Sequence, residues 1–339
     1  MIDKIAKKTM HFENPTWETD IEKFDWNPAI ALYGLWKAYK KTGNREYKAY
    51  IESWADRHIP ENNCVTTVNS AAPFMTIAEL YRENPKAEYY NAMLNTAEFI
   101  VNSAPLTKTG ALEHTVTEAN ASFGGQMWAD TLFMCCLFLA KFGKIADNDK
   151  YVVFAVNQFA LHHKYLSDGS GLYFHGYDSN QKNHMSAVRW GRANAWILLG
   201  TMELYDILGS DDKGLNISGL AARHCDALVQ CIKPDGGFAT IINDASSYTE
   251  ISATAGIAAG MIKAQRAGFQ GANDLTDIIH GAVSCVESSV NNDGSITGVS
   301  TGTPVLKDEA AYKNVRRTTT LYGQGLAMAM LAEIQAKGE

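Results

Sequence analysis

Apolar residues recur with the period of an α-helix along nearly the whole chain, and the alternation typical of strands is scarce. The pattern, read with the usual helix start and stop signals, predicts helices at 27–42, 45–58, 72–83, 87–103, 126–143, 149–165, 190–207, 215–232, 251–267, 273–288 and 318–336. Longer stretches rich in Gly, Asn, Ser, Thr and His lie between pairs of helices, at 59–71, 104–125, 166–189, 233–250 and 289–317. The chain is therefore predicted to be all-α.

Three of the short helix-to-helix connections are alike, which indicates an internal repeat. Each is a polar turn followed, about one helical turn later, by Tyr47, Tyr89 or Tyr151. This is a repeated helical hairpin. About six such hairpins can close into a ring, with inner helices that are apolar all round at 27–42, 72–83, 126–143, 190–207, 251–267 and 318–336. The more charged segments 45–58, 87–103 and 215–232 are expected outside. We predict an (α/α)6 barrel, a toroid of six helical hairpins formed by residues 1–339 as one domain; an open superhelical solenoid is the alternative.

Within the stretch from Gln126 to Phe142, almost every residue from Met127 to Ala140 is apolar on every face, as expected for a helix surrounded by protein. Asp130 is the only formal charge between Met127 and Ala140. A buried carboxylate must be paired, protonated or used in chemistry, because an unpaired buried charge costs several kcal/mol. The alternative is a capping or first-turn acid, which the helix dipole would stabilise.

Composition and charge exclude several classes of protein. The 339 residues are 46% hydrophobic and 20% charged, which is ordinary for a globular protein. The net charge of −7 and the lack of a basic stripe argue against nucleic acid as a partner. The apolar run is too short to cross a bilayer, and the N-terminus lacks the features of a signal peptide. The six cysteines have no metal-ligand spacing, so we expect reduced thiols, a cytoplasmic location, and no metal or cofactor.

In a closed ring, the starts of the inner helices and the preceding loops meet at one end. The polar and aromatic residues at those positions are Trp26, Asn69, His114, Trp128, Asp130, His175, Trp190, Arg192 and Trp196. Aromatic faces with a few polar groups suit a sugar ring, and Arg with His suits a carboxylate on it. Each residue also has a structural explanation: a tryptophan is commonly core, His175 could cap a loop, and Arg192 could make a cation–π contact.

Three segments carry a resemblance to a known family. Gln126-Met-Trp-Ala-Asp-Thr-Leu-Phe-Met134, Phe174-His-Gly-Tyr-Asp178 and Trp190-Gly-Arg-Ala-Asn-Ala-Trp196 resemble, in order and spacing, motifs of the unsaturated rhamnogalacturonyl hydrolases of glycoside hydrolase family 105, related to the unsaturated glucuronyl hydrolases of family 88. The segment from Tyr322 to Glu333 also matches. The resemblance implies a six-hairpin barrel acting on oligosaccharides that end in a 4,5-unsaturated uronic acid.

The resemblance also implies residue roles. The catalytic acid falls on Asp130, a ring-stacking aromatic on Trp26, the loop histidines on His114 and His175, and the Trp-Arg pair on Trp190 and Arg192. One position departs from the pattern: where the family usually has a second aspartate, this chain has Asn69. Asparagine can bind a sugar hydroxyl but cannot act as a base, which puts the exact substrate in doubt more than the reaction.

Ordinary glycosidases need two carboxylates, but the vinyl ether of an unsaturated uronide can be opened by hydration with one acid. Asp130 must then be protonated, and we expect burial and the substrate carboxylate to raise its pKa in the complex. Arg192 and His175 are expected to hold the carboxylate, Trp26 and Trp190 to stack on sugar rings, and Asn69 and His114 to bind hydroxyls. The rival functions are a lyase or epimerase on the same scaffold, and a non-catalytic oligosaccharide-binding toroid.

Overall fold

The structure is a computed structural model that describes residues 1–117 and 123–334. Within these ranges the helices, in chain order, are α1 (Ile2–Met10), α2 (Trp26–Thr42), α3 (Arg45–His58), α4 (Val68–Ala71), α5 (Phe74–Glu83), α6 (Ala87–Ser103), α7 (Leu137–Ile145), α8 (Asp149–Leu166), α9 (Gly191–Leu208), α10 (Ile217–Val229), α11 (Ile251–Ala267), α12 (Thr276–Ser288), α13 (Glu309–Lys313) and α14 (Leu321–Glu333). A 3₁₀ turn at Ile59–Glu61 follows α3, and a π-helix at Leu132–Cys136 leads into α7.

The described residues also contain four short strands. β1 (Gln126–Trp128) pairs antiparallel with β2 (Gly176–Asp178), and β3 (Val299–Ser300) pairs with β4 (Arg317–Thr318). The sequence prediction of one helix over 126–143 is therefore wrong at its start. The polar loop that contains β2 supplies a partner strand, so residues 126–128 take the extended form despite their helix-like pattern.

Six helices form a closed inner ring in the order α2, α5, α7, α9, α11, α14 and back to α2. Each inner helix packs on an outer helix: α3, α6, α8, α10 and α12 follow their partners in sequence, whereas α14 packs on α1 from the other end of the chain. The predicted (α/α)6 barrel is confirmed. The sequence prediction missed α1, which supplies the sixth outer helix.

The repeated tyrosines explain how neighbouring hairpins are spaced. Asn44 and Asn148 cap the starts of α3 and α8. The side-chain oxygen of each accepts a hydrogen bond from the backbone N–H two residues later. The buried ring of the following tyrosine then reaches an acid on the preceding outer helix. Tyr47 donates to Asp3 of α1 at 2.6 Å. Tyr89 donates to Asp56 of α3, and Tyr151 to Glu98 of α6.

The ring closes through a close approach of α2 and α14 at Gly34 and Gly325. A Cβ atom on Gly325 would overlap the backbone of Ile30, and one on Gly34 would overlap that of Gly325. Only glycine lets the two helix backbones come this close. None of the helices in the described residues is long and apolar enough to span a membrane.

Gly325→Ala is expected to lower the free energy of unfolding by about 1–3 kcal/mol, because the backbone it meets cannot move aside cheaply. Gly200→Ala in α9 is the matched control, since its Cβ would meet nothing closer than 3.8 Å. That variant should gain about 0.5–1 kcal/mol. Urea unfolding followed by circular dichroism measures both, and equal stability of the two variants would contradict this account of ring closure.

Candidate active site

A cavity of about 460 Å³ opens where the inner helices begin and the long loops meet. Its lining contains most of the residues singled out by the sequence; the described members are Trp17, Glu18, Trp26, Asn69, His114, Val116, Phe123, Trp128, Asp130, Met134, Trp190, Arg192, Thr301, Gly302, Thr303 and Pro304. Two of the predicted site residues do not line it. Trp196 is fully buried against Phe133, with ring centroids 5.0 Å apart, and belongs to the core. His175 lies behind the wall and contacts Asp130.

A larger cavity of about 830 Å³ lies at the other end of the barrel, where the inner helices end. Its buried charges are paired with one another: Glu203 contacts Lys37 at 2.8 Å and Lys263 at 3.0 Å. Tyr33 donates a further hydrogen bond to Glu203. Because these groups are mutually satisfied, this cavity is a weaker candidate for chemistry than the smaller one.

The β1–β2 pair places Asp130 beside His175. Trp128 is in register with Gly176, and the backbone N–H of Ala129 donates to the carbonyl of His175 at 3.0 Å. As a result His175 Nε2 lies 3.3 Å from Asp130 Oδ2, although the pair lacks the alignment of a formed hydrogen bond. Asp130 lies two residues before the π-helix, a feature that often marks functional sites. The side chain of Asp130 caps no backbone N–H in the described part of the chain, so the capping explanation does not hold there.

The charge state of this pair follows from its surroundings. Burial favours the neutral acid, but His175, His114 and Arg192 together outweigh burial and lower the pKa of Asp130 below its ordinary value. Burial also lowers the pKa of His175, against the opposing effect of Asp130. Burial lowers the pKa of His114 to about 4. In the free protein at neutral pH, Asp130 is therefore ionised and both histidines are neutral.

Trp128 forms one wall of the cavity and is held by aromatic contacts. Its indole stacks on the His114 ring, with centroids 4.3 Å apart and planes at 15°. Phe123 packs on the indole at 4.4 Å. His114 Nδ1 is 3.0 Å from the Thr131 hydroxyl, so the imidazole is fixed while its edge lines the cavity.

Arg192 lies between two aromatic rings. Its guanidinium carbon is 4.3 Å from the centroid of Trp190 and 4.7 Å from that of Tyr322. The Nη groups donate to Ser252 and to backbone and hydroxyl oxygens of residues 300–303, whereas the buried Nε has no hydrogen-bond partner among the described residues. The expected cation–π contact is present, and one N–H of a fixed cation is left free.

Sequence reasoning missed the partner of this cation, Glu250. Its side chain is fully buried, and Oε1 lies 3.7 Å from Arg192 Nη1. The same carboxylate accepts hydrogen bonds from the Ala253 and Ser300 N–H groups, so it caps α11 and holds the end of β3. A glutamate just before a predicted helix was a readable capping signal, but its contact with Arg192 depends on the closed ring.

The entrance of the cavity carries a second group of aromatic residues. Trp26 stacks on Tyr322 with centroids 4.8 Å apart, and Trp17 lies 6.2 Å from Trp26. Trp17 remains 38% exposed, which is unusual for so large an apolar side chain. Its indole rests on Gly302, where a Cβ would come within 3.0 Å. Trp17 lies outside the predicted helices, so no periodic pattern drew attention to it.

The barrel and an aromatic cavity that places the carboxylate of Asp130 beside His175 together define a class, the α/α-barrel carbohydrate enzymes. Comparison with known proteins is more specific: the family model described as Glycosyl Hydrolase Family 88 matches residues 1–337. The chain belongs to this family and is a glycoside hydrolase. The resemblance found in the motifs is thereby confirmed.

Individual relatives agree over nearly the full length. The chain is 30% identical to the unsaturated rhamnogalacturonyl hydrolase YesR of Bacillus subtilis over 337 residues, covering 98% of this chain and 94% of the relative. A crystal structure from Salmonella enterica, described as a possible member of family 105, superposes with a TM-score of 0.91 at 27% identity, covering 98% of this chain and 92% of that one. A Klebsiella pneumoniae structure with the same description gives 0.89 at 27% identity, with coverage of 98% and 91%.

Proposed function

We propose that this protein removes a 4,5-unsaturated uronic acid from the non-reducing end of oligosaccharides by hydrating the vinyl ether. One observation carries the proposal. Of the two carboxylates among the described lining residues, Glu18 is paired with Arg316 at the entrance, and Asp130 alone lies among the aromatic and cationic groups inside. Cleavage by the usual pair of carboxylates is disfavoured, whereas hydration needs one.

The proposed reaction begins with Asp130 protonated. It gives its proton to C4, water adds at C5, and the Asp130 carboxylate takes the proton that the water loses. The hemiketal formed at C5 then collapses and releases the second sugar. Arg192 supplies the positive charge for the uronate carboxylate. Trp26 and Trp190 offer ring faces, while His114 and Asn69 offer polar groups for the hydroxyls.

The substrate carboxylate explains how an acid with a lowered pKa can become a proton donor. In the free protein, the neighbouring groups, Arg192 among them, outweigh burial and keep the pKa of Asp130 below its ordinary value. A bound uronate beside Arg192 offsets that positive charge, repels the Asp130 carboxylate and excludes water. Each of these effects raises the pKa of Asp130. We therefore propose that substrate binding raises the pKa of Asp130 enough for its carboxylate to take up a proton.

The rival chemistries fit the cavity less well. A lyase needs a base such as Tyr or Lys, and the described lining residues include neither. An epimerase would use two histidines facing the sugar, but only His114 lines the cavity in the described part. A binding protein would gain nothing from placing an acid beside an anionic ligand. Hydrolysis is the function that the site supports best.

We further propose that a neutral sugar follows the uronate. The entrance offers the exposed face of Trp17, the backbone at Gly302 and the Glu18 carboxylate. Arg192 is the only Lys or Arg among the described lining residues, and it lies deep in the cavity. An apolar sugar face suits Trp17, whereas a sulfated sugar would meet the Glu18 carboxylate, and the nearby cation Arg316 is already engaged in an ion pair with that carboxylate. This agrees with the rhamnogalacturonyl specificity in the name of the Bacillus relative.

The test is loss of the ultraviolet absorbance of the conjugated double bond across a panel of unsaturated disaccharides. The panel contains rhamnose, neutral hexose and sulfated hexosamine as second sugars. Turnover of a neutral member with little on the sulfated ones supports both proposals. Equal turnover of all members would contradict the proposed selectivity for a neutral second sugar. Failure of every member, with tight binding, would favour the binding-protein function.

Trp17→Ala is expected to raise the KM for the preferred disaccharide about tenfold, equal to about 1.4 kcal/mol, with kcat nearly unchanged. The stacked second sugar would lose its platform, but Asp130 would not be disturbed. A methyl uronide lacks the second sugar and should show no change. Val153→Ala, which trims another exposed apolar side chain, is the control variant. An equal KM effect on both substrates would contradict the role of Trp17.

We place the reaction in the cytoplasm. All six cysteines are free thiols, with Cys135 and Cys136 fully buried, which suits a reducing compartment.

A further inference from the structure

Tyr312 is a buried residue next to the site that neither the motifs nor the proposed reaction use. It lies in α13, is fully buried, and places its hydroxyl 2.7 Å from His175 Nδ1. The backbone N–H of Leu306 donates to the same hydroxyl at 3.1 Å. The phenol thus touches the imidazole on the side opposite Asp130.

These contacts favour one position for the proton of the imidazole. The Leu306 N–H can only donate, so it occupies an acceptor site of the Tyr312 hydroxyl. The hydroxyl hydrogen is then best used toward His175 Nδ1, which lies 2.7 Å away, because the neighbouring Ser186 Oγ makes no hydrogen bond among the described residues. A neutral imidazole that accepts at Nδ1 has its only N–H at Nε2, the atom that faces Asp130 Oδ2.

We propose that Tyr312 is a positioning residue, which fixes the Nε2–H tautomer of His175 and so directs the transferable proton of Asp130 to Oδ1. This inference rests on the proposed hydration reaction. With an N–H facing Oδ2, a protonated Asp130 must carry its hydrogen on the other oxygen. Oδ2 is buried, and the Asp130 side chain keeps 14% exposure on the cavity side. The long Nε2–Oδ2 contact is expected to tighten once substrate is bound.

The opposite tautomer would hinder the reaction. Nε2 would then present a lone pair, and the acid would hold its proton on Oδ2, hydrogen-bonded to the imidazole and directed away from the sugar. In the proposed arrangement the Oδ1–H bond breaks as the C4–H bond forms from the double-bond electrons. Water supplies the new C5–O bond and returns one proton to Oδ1, so one water is added in total.

The other polar groups around Asp130 do not set this geometry. His114 is held by Thr131, and Arg192 is held by Glu250 and by β3. Arg192 acts on Asp130 through its charge. Among the described residues, only His175 offers an N–H within 3.3 Å of Oδ2.

The first test is Tyr312→Phe, which keeps the ring and removes the hydroxyl. We expect kcat to fall on the order of 10- to 100-fold with KM within about twofold, because substrate contacts stay and proton delivery suffers. The basic limb of the kcat profile should move to higher pH, since a lone pair facing Oδ2 disfavours the Asp130 carboxylate. Tyr248→Phe is the matched control: its hydroxyl lies 3.4 Å from the Tyr312 carbonyl without touching His175. Wild-type kcat and pH profile in Tyr312→Phe would overturn the proposal.

The second test is independent of turnover. Imidazole ¹⁵N spectra of the free protein identify the tautomer of each histidine, and loss of one signal set in His175→Gln assigns His175. The expected result is Nε2–H in the wild type and in Tyr248→Phe, shifting toward Nδ1–H in Tyr312→Phe. A wild-type Nδ1–H tautomer overturns the proposal even if the protein hydrolyses its substrate. If His175 is the Nε2–H tautomer but the protein turns over no disaccharide of the panel, the proposed reaction is wrong and the proposal about the tautomer is not contradicted. If Tyr312→Phe does not fold, the wild-type spectrum still decides.

Discussion

Asp130→Asn is expected to abolish measurable turnover, with kcat falling on the order of 10³- to 10⁴-fold, while substrate still binds. Asparagine has the size of aspartate and can keep an oxygen toward His175, so the cavity should retain its shape. It has no proton to give to C4 and cannot accept one from water. Binding measured by calorimetry should be equal or tighter, because a negative charge near the uronate is removed.

Glu18→Gln is the matched control for Asp130→Asn, since Glu18 is the other carboxylate among the described lining residues. It forms an ion pair with Arg316 at the entrance, and such partly exposed pairs contribute about 0–1 kcal/mol. The kcat of Glu18→Gln should therefore drop by less than about tenfold. A variant at Asp130 with near wild-type kcat, or a larger loss at Glu18, would contradict the assignment of the acid.

The pH dependence has a definite sign. A general acid must be protonated, so activity falls as pH rises through its pKa. The free protein holds the pKa of Asp130 below its ordinary value, so the basic limb of kcat/KM should lie at low pH. The kcat profile reports the complex, in which the bound carboxylate raises this pKa, so its basic limb should lie at higher pH. If the basic limbs of the kcat/KM and kcat profiles lie at the same pH, substrate binding does not raise the pKa of Asp130.

Arg192→Met is expected to reduce kcat/KM by about 10²- to 10³-fold, because the uronate carboxylate loses the buried positive charge that attracts it. The same change leaves the fully buried Glu250 carboxylate without its positively charged partner, so the free energy of unfolding should fall by about 3–5 kcal/mol. Loss of activity and loss of stability therefore have separate causes in this variant.

The double variant Arg192→Met with Glu250→Gln separates the two effects. Removing both charges leaves no stranded ion, so most of the stability should return, as measured by urea unfolding. Activity should stay low, because the substrate carboxylate still lacks its cation. Recovery of activity together with stability would mean that Arg192 is structural only.

The regular part of the fold was predictable from local sequence. The apolar inner helices and the repeated polar turns identified the barrel, because helix period and capping are local properties. The helix α1 was missed although Ile2, Ile5, Ala6 and Met10 have helical spacing: it has only nine residues, and its partner α14 lies at the far end of the chain. The strand β1 was mistaken for helix because its extended form depends on pairing with β2, 48 residues apart in register at Trp128 and Gly176.

The candidate site was predictable as a set of residues but less so as a geometry. The structure brings Trp26, Asn69, His114, Trp128, Asp130, Trp190 and Arg192 to one cavity. Trp196 was assigned to the cavity because it belongs to the same motif as Arg192. In a helix that is buried all round, sequence alone does not separate the cavity side from the core side. Glu250 and Tyr312 were missed because each meets its partner only through long-range contacts.

Capture of the reaction by methanol tests the central claim most directly. Protein and unsaturated disaccharide are incubated in water containing methanol, and the trapped product is identified by NMR. Hydration chemistry predicts a methyl ketal at C5, without the double bond and with the second sugar still attached, because the trapped ketal cannot collapse. A methyl glycoside at C1 that keeps its double bond, formed together with the released second sugar, would contradict hydration by Asp130 and indicate ordinary glycosidic cleavage.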